Sequence, residues 1–319
     1  MDLLPLETTS GNIMPIRHGR IAAEAIQKYG YAPEHNLDWY LFCGGEYETS
    51  RPTAVKKEIN IFARLRNGCG LLTKKDKGDI YSVFSEPLAP PKQRGIVLKE
   101  YIAYVFKQLG AKKVVLDLRA ETRKQLIPLL PVYARALKPS TAYSLTYPVL
   151  NLAAFDFSLS GRTNKLLRHT KHKFFREHAV EIIDARTMHP RNLFPIVDKW
   201  KRLRRAGGRA ACERYYNLIA SRFRGAERAR VFVVDDHPVG LWAGWPIPNS
   251  SFYYLGVVLH NYAVPSVGVL LYLDALADLR GSAYTHVDLG GGDKRITDFK
   301  NQFHPETHYA TYSFSIVRA

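Results

Sequence analysis

Two short apolar strands that each carry one aspartate, Val114-Val-Leu-Asp117-Leu118 and Val287-Asp288-Leu289, set the frame of this chain. Each follows a periodic helix (95–109 and 266–279) and precedes another helix (121–137 and 293–303). Antiparallel strands lie upstream of each block: a hairpin over 59–65 and 69–74 turning at Asn67-Gly68, then 80–85; and later 230–234, 238–245 and 252–258. An extended segment closes each half, 142–152 and 309–317. The same alternation used twice predicts a mixed α/β (α+β) architecture with a join near residues 150–160.

The remaining segments fill in around this repeat. Residues 12–30 read as a helix with the stripe Ile16, Ile21, Ala22 and Ile26, and 39–43 as a short strand. Pro128 and Pro131 break the helix over 121–137. Ser160 is expected to cap a basic helix running to residue 175, with a strand at 180–183 behind it. Helices at 190–205 and 210–223 flank Gly207-Gly208.

Bulk properties remove several classes of protein. A 46 % hydrophobic content with 12 % aromatic residues supplies a packed core. No apolar run is long enough to span a bilayer, and the N-terminus lacks the pattern of a signal peptide. Cys43, Cys69 and Cys212 fit no zinc or redox spacing, which predicts free thiols in a reducing cytoplasm. No metal site is expected. Forty-six Lys and Arg against 29 Asp and Glu give a net charge of +17. Such an excess draws polyanions: tRNA, anionic membrane surfaces or the phosphates of a coenzyme.

Chemistry concentrates near the C-terminus. The strand ending in Asp288-Leu-Gly290-Gly291-Gly292-Asp293 opens onto a helix, so a ligand could approach the glycine backbone and the helix N–H groups. The next turn, Asp298-Phe299-Lys300, places two charges two residues apart, so at most one enters a cleft. His286, immediately before the Asp288 strand core, is a candidate general base. Tyr254 and Gly256 lie on the preceding strand. On the helix over 160–175, Lys165, Arg168 or His169, His172 and Arg176 form a basic face, with Leu167, Thr170 and Phe174 opposite. Lys201, Arg202, Arg204, Arg205, Arg209, Arg222, Arg224, Arg228 and Arg230 add to the basic density, which suits phosphate recognition.

Strand-Asp-Leu-Gly-Gly, a helix with Phe299-Lys300, Phe303-x-Pro305 and a Tyr-rich last strand together resemble the end of Fem-type aminoacyl-transferases. They are similar too to the C-terminal domain of phosphatidylglycerol lysyltransferases and to the wider GNAT superfamily. Pro265-Ser266 before a helix with Leu270-Leu271-Tyr272 and Ala275, and Gly161-Arg162-x-x-Lys165, fit the same block. The resemblance implies two tandem acyl-CoA N-acyltransferase (GNAT)-like domains with mixed sheets, residues 1–155 and 156–319. It implies an acyl- or aminoacyl-transferase acting on an amine or hydroxyl. Lys300 is then the cation at the oxyanion, and Asp288, Asp298 or His286 handles the proton. Phe299, Gly290, Gly291, Tyr254, Gly256, Lys165, Arg168 and His172 are the expected substrate contacts.

Acetyl-CoA enzymes of the superfamily carry a Gln/Arg-x-x-Gly-x-Gly/Ala turn. Here Asn261-Tyr-Ala-Val-Pro265-Ser266-Val-Gly268 stands instead, and Pro91-Lys92-Gln93-Arg94-Gly95 in the first half also lacks a second glycine. Aminoacyl-tRNA is therefore the first expected donor and acyl-CoA the second, with no obligatory cofactor. The acceptor is a small molecule, peptide or lipid. The other expectation is a non-catalytic tRNA- or anionic-membrane-binding protein on the same scaffold.

Overall fold

The structure is a computed structural model that describes residues 13–15, 20–44, 59–65, 68–76, 78–137, 143–202 and 212–319. In the first half, β1 (Ile13–Pro15) precedes α1 (Arg20–Tyr29) and α2 (Leu37–Gly44). Strands β2 (Ile59–Arg64), β3 (Gly70–Lys75) and β4 (Ile80–Val83) lead to α3 (Arg94–Lys107) and β5 (Lys113–Arg119). Then come α4 (Ala120–Leu126), β6 (Ala134–Ala136) and β7 (Tyr143–Asn151). The second half has α5 (Lys165–Glu177), β8 (Val180–Asp184), α6 (Pro190–Arg202) and α7 (Glu213–Ala220). It continues with β9 (Arg228–Val234), β10 (His237–Pro246), β11 (Phe252–His260), α8 (Val267–Leu279), β12 (His286–Asp288), α9 (Lys294–Asn301) and β13 (Thr307–Arg318).

The strands form one mixed sheet in the order β1-β2-β3-β4-β5-β13-β7-β12-β11-β10-β9-β8, with β6 beside β13. Among the described residues only β4–β5 and β11–β12 pair in parallel. Parallel neighbours need a crossover, which α3 and α8 supply. The centre is an exchange. β7, from the first half, pairs with β12, while β13, from the second half, pairs with β5 and β6. β7 and β13 then pair with each other, with Tyr147 facing Tyr309.

Burial follows this exchange. Phe314 and Ile316 of β13 lie in a core with Val97, Ile102 and Phe106 of α3. Leu150 of β7 lies with Leu270, Leu271 and Leu276 of α8. A third core joins the halves directly: Trp39 and Phe42 of α2 pack with Trp200, Trp245 and Tyr254. The hairpin turn between β9 and β10 uses Asp235 and Asp236 at positive φ, the geometry of a tight hairpin.

Four local expectations are corrected. The segment 39–43 is helical because Asn36 caps it, its Oδ1 accepting from Trp39 N at 3.1 Å. A short apolar run has no period of its own, so the cap decides. The helix expected over 12–30 begins at Arg20, and Ile13–Pro15 is a strand paired with β2. The helix expected over 121–137 stops at Leu126, passes through a 3-10 turn at Ile127–Leu129, and gives way to β6. Pro128 cannot donate to a helix, and β13 offers the following backbone a partner. Ser160 is not the cap of α5. Its N–H and hydroxyl both bond the Asp156 carboxylate at 2.6 Å, and the helix starts at Lys165. Residues 203–211, with Arg204, Arg205, Arg209 and Gly207-Gly208, lie outside the described residues, as does Ile16.

Phe314→Ala should cost about 3–5 kcal/mol, the usual loss for a buried aromatic. Hydrogen exchange should report the destabilisation along α3 and β5, although the mutated residue follows β12 in sequence.

Candidate active site

A parallel pair that stops pairing leaves a notch in a sheet. β11 and β12 pair over only three residues, ending at Tyr254↔Asp288, and β11 then runs on beside β10 to His260. β4 and β5 likewise part after Val83↔Leu116. Both notches open onto one cavity of ≈ 530 Å³. Its walls come from both halves: Glu34, Trp39, Lys74 and Asp117 from the first, Arg214, Tyr254, Gly290 and Lys300 from the second.

The glycine turn after β12 is shaped by what packs on it. Gly290 has φ +83, a conformation few side chains adopt. Its N–H donates to Asp288 Oδ1 at 2.8 Å, and its carbonyl accepts from Lys300 Nζ at 2.6 Å. A Cβ on residue 291 would lie 2.5 Å from Cζ of Tyr147. That ring stacks on Tyr309 at 4.7 Å, and the Tyr309 hydroxyl donates to Asp288 Oδ2 at 2.6 Å. Gly292 exchanges two 3.0 Å backbone bonds with Thr146. Asp293 caps α9 by accepting from Ile296 N at 3.0 Å. The glycines thus bring Lys300, Asp288 and the two tyrosines together, and the helix start carries its own carboxylate.

Lys300 projects from the last turn of α9 and is 3 % exposed. Burial pushes its ammonium down to about 8, against the pull of Asp288. Asp288 is 1 % exposed. Burial raises its carboxyl, opposed by the bonds from Tyr309 and Gly290 and by the charges of Lys300 and Arg119. Asp117, in the other notch, is raised chiefly by burial. Glu34, also on the cavity lining, is raised to about 8, again chiefly by burial.

Of the residues expected from sequence, Lys300, Gly290, Gly291, Tyr254 and Gly256 line this cavity. Asp288 sits behind them, and Gly256 lets the Trp39 ring approach, since a Cβ there would be 2.6 Å from it. The others lie elsewhere. Asp298 is exposed and pairs with Lys294 at 2.8 Å, which leaves Lys300 as the charge of this turn that points inward. His286 stacks on Phe252 and bonds Glu306 at 3.1 Å, away from the cavity walls. Phe299 is 36 % exposed rather than buried, and packs edge-on behind Tyr272.

Lys165 and His172 are exposed on α5, while Arg168 turns back to the Leu159 and Gly161 carbonyls. Arg228 and Arg230 are taken up by Asp278, and Arg230 by Asp274 as well. The helix start at Arg94 is also occupied. Gly95 N donates to Gln125 Oε1 at 3.1 Å, and Arg94 stacks on Tyr31 at 3.9 Å. Among the described residues no group of His, Cys, Asp and Glu could hold a metal ion.

Sequence reasoning did not find Glu34, Arg214, Trp39 or Tyr147. Glu34 stands in a single 3-10 turn, Pro33–His35, and Trp39, Arg214 and Tyr147 lie in α2, α7 and β7, so that only the fold brings them to one cavity. Asp117 was visible as an echo of Asp288.

A crossover helix between parallel strands that part over a cavity, present in each half, defines a tandem acyltransferase-type α/β fold of the GNAT kind. Residues 161–301 match the acetyltransferase (GNAT) domain family. No curated protein matches the chain. The chain is similar to L-PGS from Bacillus licheniformis, at 14 % identity over 93 % of this chain and 91 % of that one, with a TM-score of 0.63. A tandem GNAT protein from the clavulanic acid biosynthesis pathway aligns with 99 % of this chain and 98 % of its own, at 12 % identity and a TM-score of 0.55. FemX aligns over 94 % and 96 %, at 10 % identity and a TM-score of 0.55. At these identities the likeness is one of fold. Among the described residues no helix is long and apolar enough to cross a membrane.

Gly291→Ala should displace the Tyr147–Tyr309 stack and destabilise the protein by about 1–3 kcal/mol, the usual cost of overpacking. Denaturant unfolding checks this. Gly110→Ala, where a Cβ meets nothing within 4 Å, provides the comparison for a strained backbone without a clash.

Proposed function

We propose that the protein transfers an activated acyl or aminoacyl group to an amine or hydroxyl acceptor within the cavity, its two units being residues 1–155 and 156–319. The observation that carries this reading is Lys300, a buried cation at the foot of the β11–β12 notch. Among the described residues no carboxylate lies within ion-pair distance of it, and its one hydrogen bond is to Gly290 O. Two ammonium protons remain for a ligand oxygen. Attack on an ester or thioester carbonyl develops an oxyanion, and a preorganised cation in a water-poor site stabilises it strongly. Asp288, bonded by Gly290 N–H and the Tyr309 hydroxyl, fixes the turn that holds that cation, so that little reorganises during the reaction.

The favoured donor is aminoacyl-tRNA, with acyl-CoA next. The turn before α8 supports this order. Ser266 opens the helix at φ +69 without a side-chain cap, but Gly268 is covered by the His260 imidazole, which a Cβ would approach to 2.9 Å. That leaves little of the bare backbone a pyrophosphate requires. The exposed Lys165, His169, His172 and Arg176 on α5 would contact phosphates of the tRNA. Cys43, Cys69 and Cys212 form no disulfide among the described residues, which suits a cytoplasmic setting.

Lys300→Met should lower kcat by about 10²–10³-fold, the usual price of one oxyanion donor, with little change in melting temperature. Full activity in that variant would remove the role. Because the ammonium is the active form, the Lys300 contribution should disappear as pH rises through about 8. Replacing Lys165 and Arg176 with Glu should weaken charged-tRNA binding and flatten its salt dependence, by about one unit of slope for each phosphate no longer neutralised.

A further inference from the structure

The segment Leu126-Ile-Pro-Leu-Leu-Pro-Val-Tyr-Ala134, which joins α4 to β6, carries no charged side chain. A run of this kind normally turns inward, and part of it does. Leu126 is buried in the core of the first half, and Leu130 and Tyr133 pack against that core. Two residues between these anchors turn outward instead: Ile127 is 38 % exposed and Val132 100 %. The backbone holds the arrangement. Leu130 N–H donates to the Ile127 carbonyl at 3.4 Å, Ala134 N–H to the Pro131 carbonyl at 2.8 Å, and Ala319 N–H to the Tyr133 carbonyl at 2.8 Å. Pro128 and Pro131 fix φ at two further positions. An already ordered loop thus presents apolar side chains to water, and little conformational freedom is lost when something covers them.

The charge around this loop has one sign. From Thr122 to Leu137 the chain carries Arg123, Lys124 and Arg135 and no carboxylate. Lys107, at the end of α3, lies over the Tyr133 ring at 5.0 Å, and Arg123 over the Tyr312 ring at 5.5 Å. All four cations are exposed, and among the described residues none of them pairs with a carboxylate. Exposed apolar side chains ringed by unpaired cations suit the headgroup region of an anionic bilayer. There the apolar groups enter the acyl boundary and the cations meet lipid phosphates. RNA would gain from the cations but nothing from Val132. The basic helix α5 is different in this respect. Its exposed apolar residues, Leu166 and Phe175, stand about two and a half turns apart and so on opposite flanks, with the cations between them.

We propose that the loop over 126–134, with Lys107, Arg123, Lys124 and Arg135 around it, docks the protein on an anionic bilayer surface. Docking at this place attaches the protein without feeding lipid to the cavity. Val115 and Asp117 of β5 line the cavity. Val114 and Leu118 alternate with them along the strand and pack in the core that also takes Leu126, Leu130 and Tyr133. The loop and the cavity therefore lie on opposite faces of the sheet. A bilayer against the loop leaves the cavity to substrates that arrive through water. The inference does not depend on the transfer reading above.

The test is co-sedimentation of the whole protein with phosphatidylcholine vesicles, with and without phosphatidylglycerol. The wild type should bind the mixed vesicles, and added salt or omission of phosphatidylglycerol should release it. Val132→Asp should weaken binding about tenfold or more, the loss expected when one apolar side chain is withheld from the acyl boundary. Its melting temperature should not change, because the side chain is fully exposed. Val132→Trp, which adds apolar area at the same place, should tighten binding. A wild type that stays in solution, or a Val132→Asp variant that binds as the wild type does, overturns the proposal. So does loss of binding on replacing Lys165 and Arg176 with Glu while Val132→Asp binds normally, since the contact would then be α5. Self-association without vesicles that Val132→Asp abolishes would assign the loop to a second copy of the chain, and would overturn it equally.

Discussion

The exchange of β7 and β13 is the constraint on which the rest of the molecule depends. Each half leaves a notch beside its parallel pair, and each is completed by the last strand of the other. Hydrogen bonding along β5–β13–β7–β12 satisfies backbone groups that would otherwise be two open sheet edges. Side chains follow the same logic: Phe314 and Ile316 fill the core of the first half, and Leu150 fills that of the second. At the seam, Tyr147 and Tyr309 stack face to face and hold the glycine turn and Asp288 in place.

Because the notches lie on either side of one seam, they share one cavity, and its electrostatics belong to both halves. Lys300 and Asp288 come from the second half and Glu34 and Asp117 from the first, and burial is the leading cause of every shift among them. The cation is driven towards its neutral form and the carboxylates towards theirs. Such opposed shifts in one pocket are a mark of sites that move protons. They arise here from the enclosure of charge between packed strands and the aromatic residues of α2 and α6.

The repeat, the two crossover helices and most strands were legible in sequence, because long periodic segments and turn residues carry their own signal. Lys300 was legible too, through the charge arithmetic of a short helix: with Asp298 two residues away, one had to face outward. Residues 39–43 misled because five apolar side chains fit strand and helix alike, and a single asparagine upstream decided the matter. Glu34 was illegible for a different reason. Its single 3-10 turn, Pro33–His35, carries no periodic pattern, and only the fold brings it to the cavity. Arg228 and Arg230 show the converse, since a conspicuous basic run in sequence proves to be tied down by α8.

Strand exchange also bears on the order of events during synthesis. β5 is made before β13, the neighbour that covers its edge, and β13 leaves the ribosome after the other described strands. Until then the first half exposes an unpaired edge and an incomplete core, the state in which nascent chains are most prone to mispair. Closing so long a loop is slow in entropy terms, because the segments it joins are remote in sequence. The two halves therefore reach their final form together, and the cavity exists only from that moment. A chain stalled before β13 would carry Lys300 and Glu34 but no enclosed pocket to change their chemistry.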